Sequence, residues 1–335
     1  MGNLWVDTRW SGSHGIGRYA YEVLKRLPFE YESVRAVGAP SDPFDRWRKL
    51  SIAAQSSDLF YNPGYNPVRI KIPQVLTVHD LIHLGDGGLR GAAHRQYYQR
   101  VVRPAILRAR VVITVSETSQ EDISHWIDDA SVSVVNAGNG CSAEFTAVGD
   151  RYQRSRPYVV FVGNLKPHKN VDTLLRAIAY LPDVDLVAVT GAQHLLRERA
   201  SQAGVGSQTE CVGNISDQQL ATIYRGAIAT IVPSIEEGFG LPAAESLACG
   251  TPVVYWEGCR SVREIVDGCG ISVQDAYDAR QWAECIDHIA HESTPIAANW
   301  RNVYSWDTVA DRVARVLESV PSVRLLRGES RDDDA

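Results

Sequence analysis

Two glutamates, Glu237 and Glu245, stand eight positions apart in the stretch EEGFGLPAAES, residues 236–246. An ionised carboxylate only accepts hydrogen bonds, so each glutamate is suited to holding a pair of neighbouring hydroxyl groups. An acid near the start of a helix can also serve only to complement the helix dipole. The residue types therefore allow two interpretations, a hydroxyl-binding site or a stabilised helix start, and the flanking residues help to decide between them.

The segment around the glutamates is predicted to run from a buried strand into a helix. The strand is Ala229–Val232, Pro242 suits the first helical turn, and Gly250 with the proline after Thr251 ends the helix. Glu237 then lies in the loop and Glu245 in the first turn of the helix. Free backbone N–H groups at such a helix start favour an anion, for example a diphosphate. The backbone expected to approach the ligand there is formed by Gly238, Phe239, Gly240 and Leu241.

Two hydroxyl-binding carboxylates on either side of an anion site indicate a ligand built of sugar, phosphate and sugar, which is a nucleotide sugar. The string EEGFGLPAAESLACGTPVV, which begins at residue 236, closely resembles the E-x7-E signature of retaining glycosyltransferase family 4, whose fold is GT-B. The resemblance implies that Glu237 contacts the hydroxyls of the transferred sugar. It also implies that Glu245 holds the ribose of the nucleotide.

A second stretch, YVVFVGNLKPHKNVDTLLRAI from residue 158 onward, is predicted to form a strand, a loop and a helix. In family 4 the corresponding loop often carries an arginine and then a lysine on the diphosphate, and Lys169 matches the lysine. Gly163 and Asn164 open the loop, and Asn164 stands where many members of the family have the arginine. A third stretch, CVGNISDQQLATIY, resembles the family segment that cradles the nucleobase with its backbone. That resemblance assigns nucleobase contacts to Gly213 and Ile215.

The N-terminal stretch WVDTRWSGSHGIGRYAYEVLKRL also reads as strand, loop and helix, and Gly15 and Gly17 let the loop fold close to a phosphate. Residues 15–20 fit G-x-G-x-x-A, so an NAD(P)-dependent oxidoreductase is a rival interpretation. That rival requires an acid at the end of the second strand, and Asp42 comes too late in the sequence to serve. GIGRY is also frequent in family 4, where this loop lies over the diphosphate of the donor.

The stretch VLTVHDLIHL places His79 and Asp80 at the carboxyl end of a predicted strand. Family 4 has a similar His-Asp pair near the donor sugar and the acceptor. The resemblance implies that His79 hydrogen-bonds the sugar or supports the developing charge, while Asp80 acts beside it or only caps and orients its neighbours. Further along, Ser116 and Ser119 are expected to cap a helix.

Short β-branched runs alternate with helix-like stretches almost throughout, and many of the runs are apolar without alternation, as in strands buried on both faces. The predicted strands are Leu4–Thr8, Ser33–Gly38, Leu59–Tyr61, Gln74–Val78, Val111–Val115, Val132–Val135, Tyr158–Val162, Val184–Val189, Glu210–Val212, Ala229–Val232, Pro252–Tyr255 and Gly270–Val273.

The polar stretch 149–157 divides these elements into two halves. We expect an α/β protein with the GT-B fold: two Rossmann-like, doubly wound domains with an inter-domain cleft. The acceptor-side domain covers 1–150, and a C-terminal helix at about 305–320 packs back on it through Trp306. The nucleotide-sugar-binding domain covers 151–304, and 321–335 is a polar tail.

Composition excludes several classes of protein. The 335 residues are 44% apolar and 22% charged, and the net charge of −6 argues against a nucleic-acid binder. The sequence has no apolar run of about 20 residues for a membrane span and starts without a signal sequence, so a cytoplasmic protein is expected. The arginine-rich stretch 90–110 leaves peripheral contact with the inner face of the membrane open. Six dispersed cysteines without a CxxC pair predict reduced thiols and no zinc site.

The expected activity is that of a retaining hexosyltransferase that needs no cofactor and no metal, because family 4, which the chain resembles, acts without a bound metal. The donor is a nucleotide-diphosphate sugar, and the acceptor is a glycan, a lipid-linked glycan or a small molecule. GIGRY and the PxKN loop resemble mannosyl- and rhamnosyltransferases of polysaccharide assembly, so GDP-mannose is the first donor to test. Three alternatives stay open: an NAD(P)-dependent oxidoreductase, a non-catalytic sugar-nucleotide-binding protein, and a GT-B phosphorylase with a pyridoxal phosphate lysine.

Overall fold

The structure is a computed structural model, and it describes residues 2–12, 15–34, 39–40, 54–213, 215–291, 304–320 and 325. These residues form two compact units. Unit 1 lies within Met1–Gly140 and Ser305–Ala335, and unit 2 spans Cys141–Tyr304. The chain therefore leaves unit 1 and returns to it for the last described helix.

The described strands of unit 1 are all parallel, and most are buried, as their uninterrupted apolar sequences predict. All residues of the first, third, fourth and fifth strands are buried, whereas the short second strand is exposed at the edge of the sheet. The strands are β1 (Leu4–Val6), β2 (Tyr31–Ser33), β3 (Leu59–Asn62), β4 (Gln74–Leu76), β5 (Val111–Thr114) and β6 (Ser133–Asn136).

The strand order of unit 1 contains a topological switch point next to β1, where the chain changes the side of the sheet on which it adds strands. The sheet order is β2-β1-β3-β4, and β5 pairs with β6. A bridge between Thr77 and Ile113, with a 2.9 Å hydrogen bond from Val78 N–H to Ile113 O, joins β4 to β5. Since β2 and β3 lie on opposite sides of β1, the switch point lies between β1 and β3. Ligands of open parallel sheets bind outside the carboxyl ends of the strands at such a point.

Described helices of unit 1 follow β1, β4 and β5 along the chain, and a π-helical turn at Tyr98–Val102 joins the second helix to the third. The fourth helix is capped as expected by Ser116, whose Oγ accepts a 3.0 Å hydrogen bond from Ser119 N–H. The prediction that Ser119 is also a cap is wrong, because Ser119 lies inside the first turn and supplies the capped N–H group. The helices are α1 (Ile16–Arg26), α2 (Gly88–Tyr97), α3 (Arg103–Ala109) and α4 (Glu117–Ile127).

Unit 2 contains a parallel sheet in the order β12-β11-β10-β7-β8-β9. The chain enters in the middle with β7, builds outward to β9, and returns to the other side of β7 with β10. This is the doubly wound order of a dinucleotide-type domain, with its switch point between β7 and β10. The strands are β7 (Tyr158–Val162), β8 (Asp185–Val189), β9 (Thr209–Val212), β10 (Ala229–Val232), β11 (Val253–Trp256) and β12 (Gly270–Val273).

The helices of unit 2 alternate with these strands and cover the sheet. Trp282 is fully buried in the core between the sheet and the helices, where its Nε1–H donates to Ala276 O at 3.0 Å. The helices are α5 (Val171–Ile178), α6 (Gln193–Gln202), α7 (Asp217–Gly226), α8 (Leu241–Ala248), α9 (Arg260–Val266) and α10 (Ala279–His291).

The last described helix, α11 (Trp306–Ser319), belongs to unit 1 and packs on α1. The buried ring of Trp306 lies 6.1 Å from that of Tyr19, centroid to centroid. At the junction, the first and last residues of unit 2 are neighbours, because Cys141 N–H donates to Tyr304 O at 2.9 Å. The two ends of unit 2 therefore lie side by side.

The structure tests several of the sequence predictions directly. The predicted strand Ser33–Gly38 is wrong in its bounds, because β2 ends at Ser33, and residues 35–38 lie outside the described part of the chain. The polar tail, apart from residue 325, lies outside it too. Among the described helices, none has the length and apolar character needed to cross a bilayer. All six cysteines are free thiols, as predicted.

Candidate functional site

Two loops that flank the switch point of unit 2 carry the candidate donor-binding residues. Lys169 ends a short 3-10 turn after β7, and Glu237 lies between β10 and α8. A 2.7 Å backbone hydrogen bond from Ile235 N–H to His168 O ties the two loops together. The carboxyl ends of two adjacent strands thus bring together side chains that are 68 residues apart in the sequence.

Lys169 and Glu237 form an ion pair at this point. Lys169 Nζ lies 2.5 Å from Glu237 Oε1, and each side chain is 12% exposed. Ser234 Oγ donates to the same oxygen at 2.7 Å, and Ser261 Oγ donates to the backbone oxygen of Glu237 at 2.7 Å. Within the described residues, Glu237 Oε2 has no hydrogen-bond partner, so that oxygen can accept one from a ligand.

The negative charge of Glu237 also acts on a buried thiol nearby. Burial, and after it the carboxylate of Glu237, raises the pKa of Cys259 to about 12. The thiol is therefore protonated at neutral pH, and Cys259 serves as packing rather than as a nucleophile.

Glu245 is placed differently from the sequence prediction. It is the fifth residue of α8 and lies beyond the first turn, so the first-turn assignment is wrong. The side chain faces α7 with 4% of the residue exposed, and Tyr224 Oη donates to Glu245 Oε2 at 3.0 Å. Burial and the neighbouring carboxylate hold the pKa of Tyr224 well above its ordinary value, so the phenol stays a hydrogen-bond donor.

The residues predicted to carry the anion site surround the start of α8. Gly240 precedes the helix with φ at +109°, where a β-carbon would be strained and would lie 3.0 Å from Val262. Phe239 is buried with its ring 5.6 Å from that of Tyr304, and Leu241 is the first helical residue. Gly238 lies directly before them and is half-buried.

The loop after β7 begins with the two residues that were assigned to the donor. Gly163 N–H donates to Val189 O at 3.1 Å and so extends the pairing of β7 with β8. Asn164 Oδ1 accepts a 3.1 Å hydrogen bond from Lys166 N–H and closes a local turn. Asn164 therefore shapes the loop that leads to Lys169.

The predicted nucleobase segment follows β9. A β-carbon on Gly213 would lie 2.2 Å from Gln193 Nε2 and 3.0 Å from Thr190 O, so only glycine fits between these groups. Ile215 is half-buried, two residues before the start of α7. Both residues lie at the same edge of the sheet as the ion pair, because they follow the carboxyl end of a parallel strand.

In unit 1, His79 follows β4 at the edge where the ligand sites of such sheets lie. Its Nε2 is 3.1 Å from Pro63 O, and its ring lies edge-to-face on Tyr19 with the centroids 4.8 Å apart. Burial lowers the pKa of His79 below its ordinary value, so the ring is neutral at physiological pH.

Asp80, the next residue, stays ionised. Burial alone would raise its pKa, but the nearby His83 ring and a hydrogen bond from Ile82 N–H hold the pKa below its ordinary value. Ile82 N–H lies 3.0 Å from Asp80 Oδ1, and His83 Nδ1 lies 3.9 Å from the same oxygen. The carboxylate therefore caps the short helical turn that contains His83, while 31% of its side chain is exposed.

The predicted phosphate loop of unit 1 has the geometry that its glycines require. Gly15 precedes α1 with φ at +63°, and a β-carbon on Gly17 would lie 2.4 Å from the backbone of Ser11. This close packing suits an anion site and suits a dinucleotide fingerprint equally. Asp42, which the oxidoreductase interpretation depends on, lies outside the described residues.

Some polar neighbours of the candidate residues were missed by the sequence reasoning: Ser234, Tyr224 and Ser261 in unit 2, and His83 in unit 1. Ser234 had a signal, since it follows β10 directly and precedes Glu237 by three residues. Tyr224 and Ser261 reach Glu245 and Glu237 through tertiary packing alone, whereas His83 follows Asp80 by three residues. No group of three or more histidine, cysteine, aspartate or glutamate side chains suited to a metal occurs among the residues described.

Residues 151–303 match the family "Glycosyl transferases group 1". Curated relatives named D-inositol 3-phosphate glycosyltransferase, from Mycobacterium tuberculosis (strain ATCC 25618 / H37Rv) and Mycobacterium bovis, are 29% identical over 273 residues. That alignment covers 72% of this chain and 56% of each relative, so the chain spans little more than half their length.

Solved structures agree with the architecture. HepE from Anabaena, in complex with UDP and glucose, is 17% identical with a TM-score of 0.68 over 95% of this chain and 100% of that one. Sucrose-phosphate synthase from Thermosynechococcus elongatus is 20% identical with a TM-score of 0.65 over 78% and 73% of the two chains. The fold is that of GT-B glycosyltransferases, with two Rossmann-like domains, and the fold prediction is confirmed. The match to the group 1 glycosyltransferase model lies within the C-terminal half of the chain.

Proposed function

We propose that this chain is a glycosyltransferase that takes a hexose from a nucleotide-diphosphate sugar bound by unit 2. The observation that carries the proposal is the Lys169–Glu237 pair at the switch point of a doubly wound sheet, inside the range 151–303 of group 1 type. An ammonium group suits a diphosphate, and a carboxylate suits the hydroxyls of a sugar. The cation for the diphosphate and the carboxylate for the sugar hydroxyls thus lie next to each other.

The pair supports a specific account of donor binding. Without a donor, the charge of Lys169 is balanced by Glu237 Oε1. A diphosphate takes over the lysine, and the carboxylate then accepts hydrogen bonds from sugar hydroxyls, starting from the open Oε2. As the glycosidic bond to phosphate breaks, negative charge grows on the leaving group, where Lys169 and the N-terminus of α8 stabilise it. Ser234 and Ser261 hold Glu237 in place during this exchange.

We extend the proposal to a retaining and metal-independent reaction. In this account Glu237 holds hydroxyls instead of attacking the anomeric carbon, and the departing phosphate takes the proton of the acceptor. The test is proton NMR of early product from an α-linked donor, and an α-linked product is expected. A β-linked product would mean inversion and would overturn the roles given to Glu237 and Lys169.

The nucleotide is best identified by thermal shift with GDP, UDP, dTDP and ADP. GDP-mannose remains our first donor, and UDP sugars are the next to test because HepE was solved with UDP and glucose. A nucleotide at about one hundred times its Kd stabilises the native protein by about 2.7 kcal/mol. The same screen on Lys169→Ala is the control, since loss of the lysine should weaken every nucleoside diphosphate. Absence of a shift with all four nucleotides would contradict the donor site.

For the acceptor, we propose a hydroxylated molecule: a glycan, a lipid-linked glycan or a small cyclic polyol. The curated relatives are named for D-inositol 3-phosphate, so that phosphorylated cyclitol belongs in the first acceptor panel beside simple mannosides. Product formation with a matched donor would identify the class.

A non-catalytic sugar-nucleotide-binding protein is the second candidate, and Asn164 favours it because many members of family 4 carry an arginine there. A protein that binds a nucleotide but turns over no donor with any acceptor would support it. The oxidoreductase alternative is not favoured, since the matched family and the solved neighbours are glycosyltransferases.

A further inference from the structure

We infer that Tyr224 is a positioning residue that sets a preference of unit 2 for a ribose diol, because it holds the Glu245 carboxylate in one orientation. The inference rests on the proposed function, since the diol would belong to the nucleotide of the donor. In this account Tyr224 does not contact the ligand and acts on it through Glu245 alone.

Tyr224 is fixed at three points in the core of unit 2. Its Oη donates to Glu245 Oε2 at 3.0 Å, and its backbone oxygen accepts a 2.6 Å hydrogen bond from Thr251 Oγ1. Its ring packs edge-to-face on that of Phe145, with the centroids 5.9 Å apart, and both rings are fully buried. The phenol is therefore held in place, and its hydroxyl group points at the carboxylate.

Buried hydroxyl groups also fix α8, the helix that carries Glu245. The next residue of α8, Ser246, donates from Oγ to Thr251 O at 2.8 Å. The same Oγ lies 2.6 Å from Thr230 Oγ1 on β10, and because the serine hydrogen is already used, the threonine is the donor. Thr251 therefore ties Tyr224 and α8 to each other, and Thr230 ties α8 to the sheet.

The phenol is a neutral partner for Glu245, and this distinguishes it from the lysine beside the other glutamate. Lys169 balances the charge of Glu237, whereas Tyr224 adds no charge. Burial and the carboxylate hold the pKa of Tyr224 well above its ordinary value, so the phenol only donates. An ionised Glu245 keeps its full negative charge beside it, and hydrogen bonds to an ionised acceptor are about twice as strong as neutral ones.

The burial of Glu245 favours a role in ligand binding over a purely structural one. Only 4% of the residue is exposed, and burying a carboxylate is costly. An apolar side chain at this position would fill the contact between α7 and α8 without that cost. The carboxylate is therefore explained by a ligand that needs a charged hydrogen-bond acceptor at this point.

A diol is the part of a nucleotide that matches this acceptor. Its two neighbouring hydroxyl groups donate hydrogen bonds, while a phosphate next to the carboxylate would be repelled. Hydrogen bonds depend steeply on angle, so a carboxylate held in one orientation by Tyr224 discriminates better than one that turns freely. Loss of the phenol hydroxyl should therefore lower the preference for ribose and leave the affinity for the remainder of the nucleotide nearly intact.

The experiment is isothermal titration calorimetry with GDP and UDP, each compared with its 2′,3′-dideoxy analogue. Wild type should bind at least one of the two ribonucleotides about ten- to a hundredfold more tightly than its analogue, the range for hydrogen bonds to a charged group. Tyr224→Phe should lower that preference roughly three- to tenfold. Tyr158→Phe is the matched control, because it removes the hydroxyl of another buried tyrosine of unit 2, which donates to Ile223 O at 2.8 Å, and it should keep the wild-type preference.

A double-mutant cycle separates positioning from packing. In a Glu245→Gln background, Tyr224→Phe should cause no further loss of preference, because no charged acceptor remains to be oriented. A packing defect would instead weaken binding of both members of a nucleotide pair equally and would persist in that background. Circular dichroism shows whether each variant is folded. If Tyr224→Phe does not fold, Thr251→Val takes its place, since it removes the hydrogen bond to Tyr224 O and should also lower the preference.

Three results would overturn the inference and leave the proposed donor site standing: nucleotide binding by wild type without a preference for ribose, an unchanged preference in Tyr224→Phe, or equal losses of preference in Tyr224→Phe and Tyr158→Phe. If wild type binds neither GDP nor UDP, the inference and the proposed donor site both fail. The failure of the inference can therefore be distinguished from the failure of the proposed function.

Discussion

Replacing Glu237 by glutamine should reduce turnover strongly and lower stability measurably. At the 2.5 Å separation of the Lys169–Glu237 pair and an effective dielectric constant of about 20, the gross attraction is about 7 kcal/mol. The cost of desolvating two side chains that are each 12% exposed offsets most of it. Glutamine keeps the shape and an acceptor oxygen for Ser234, so we expect a net loss of about 1–3 kcal/mol in the free energy of unfolding.

The assay measures both consequences. The loss of stability corresponds to a fall in Tm of roughly 2–12 °C for a domain of this size. In turnover, loss of a charged acceptor on the donor sugar should remove about 2–4 kcal/mol of transition-state binding, or roughly 30- to 900-fold in kcat/KM. Glu236→Gln is the matched control, because it makes the same chemical change at the exposed neighbouring residue and should leave both quantities nearly unchanged.

The reasoning is refuted by a Glu237→Gln variant whose kcat/KM stays within about threefold of wild type. A double-mutant cycle with Lys169→Met tests the pair itself. If the ion pair exists in solution, the losses in the free energy of unfolding of the two single variants should add up to more than the loss of the double variant, by about 1 kcal/mol or more. Strict additivity would show that the two side chains do not interact without a donor.

Other outcomes are expected from the same geometry. Lys169→Ala should reduce turnover far more than Lys166→Ala, because only Lys169 reaches Glu237; equal kinetic losses would contradict the assignment. Turnover should survive EDTA, since Lys169 and the start of α8 supply the positive charge, and a loss of activity that magnesium or manganese restores would overturn the metal-free proposal. Burial lowers the pKa of His79 below 6.5, so the folded state favours the neutral ring, and stability should fall as the pH drops below about 6.5. His79→Gln should remove that part of the fall in an acid titration followed by circular dichroism, and an unchanged profile would exclude the effect.

Most of the fold could be predicted from the sequence because its buried strands are short, apolar and regularly followed by helices. Tyr158–Val162, Ala229–Val232 and Gly270–Val273 match the observed strands residue for residue. The second strand was the exception, since YES at Tyr31–Ser33 is polar and exposed at a sheet edge, where hydrophobic patterning carries no signal.

The chemistry of the candidate site could be predicted from the sequence, but the ion pair between Lys169 and Glu237 could not. The types and spacing of Glu237 and Lys169 indicated a hydroxyl acceptor and a phosphate-binding cation, but the bond between them depends on the adjacency of β7 and β10. Glu245 was misplaced because the helix starts at Leu241, which moves the glutamate past the first turn and against Tyr224. The donor and acceptor roles of these residues stay predictions until the experiments above are done.

The hydrogen bond between Cys141 and Tyr304 has a consequence for protein engineering. Unit 2 is continuous in sequence, and its two ends are adjacent in the structure. It can therefore be excised as a cassette, and a short linker is enough to rejoin the cut ends of the remaining chain. Unit 1 does not share this property, since α11 and its buried Trp306 complete it from the far end of the chain. Chimeras that change the donor should therefore graft residues 141–304 as a block and retain both flanks of the recipient. A truncation before residue 305 would instead remove part of the recipient's own core.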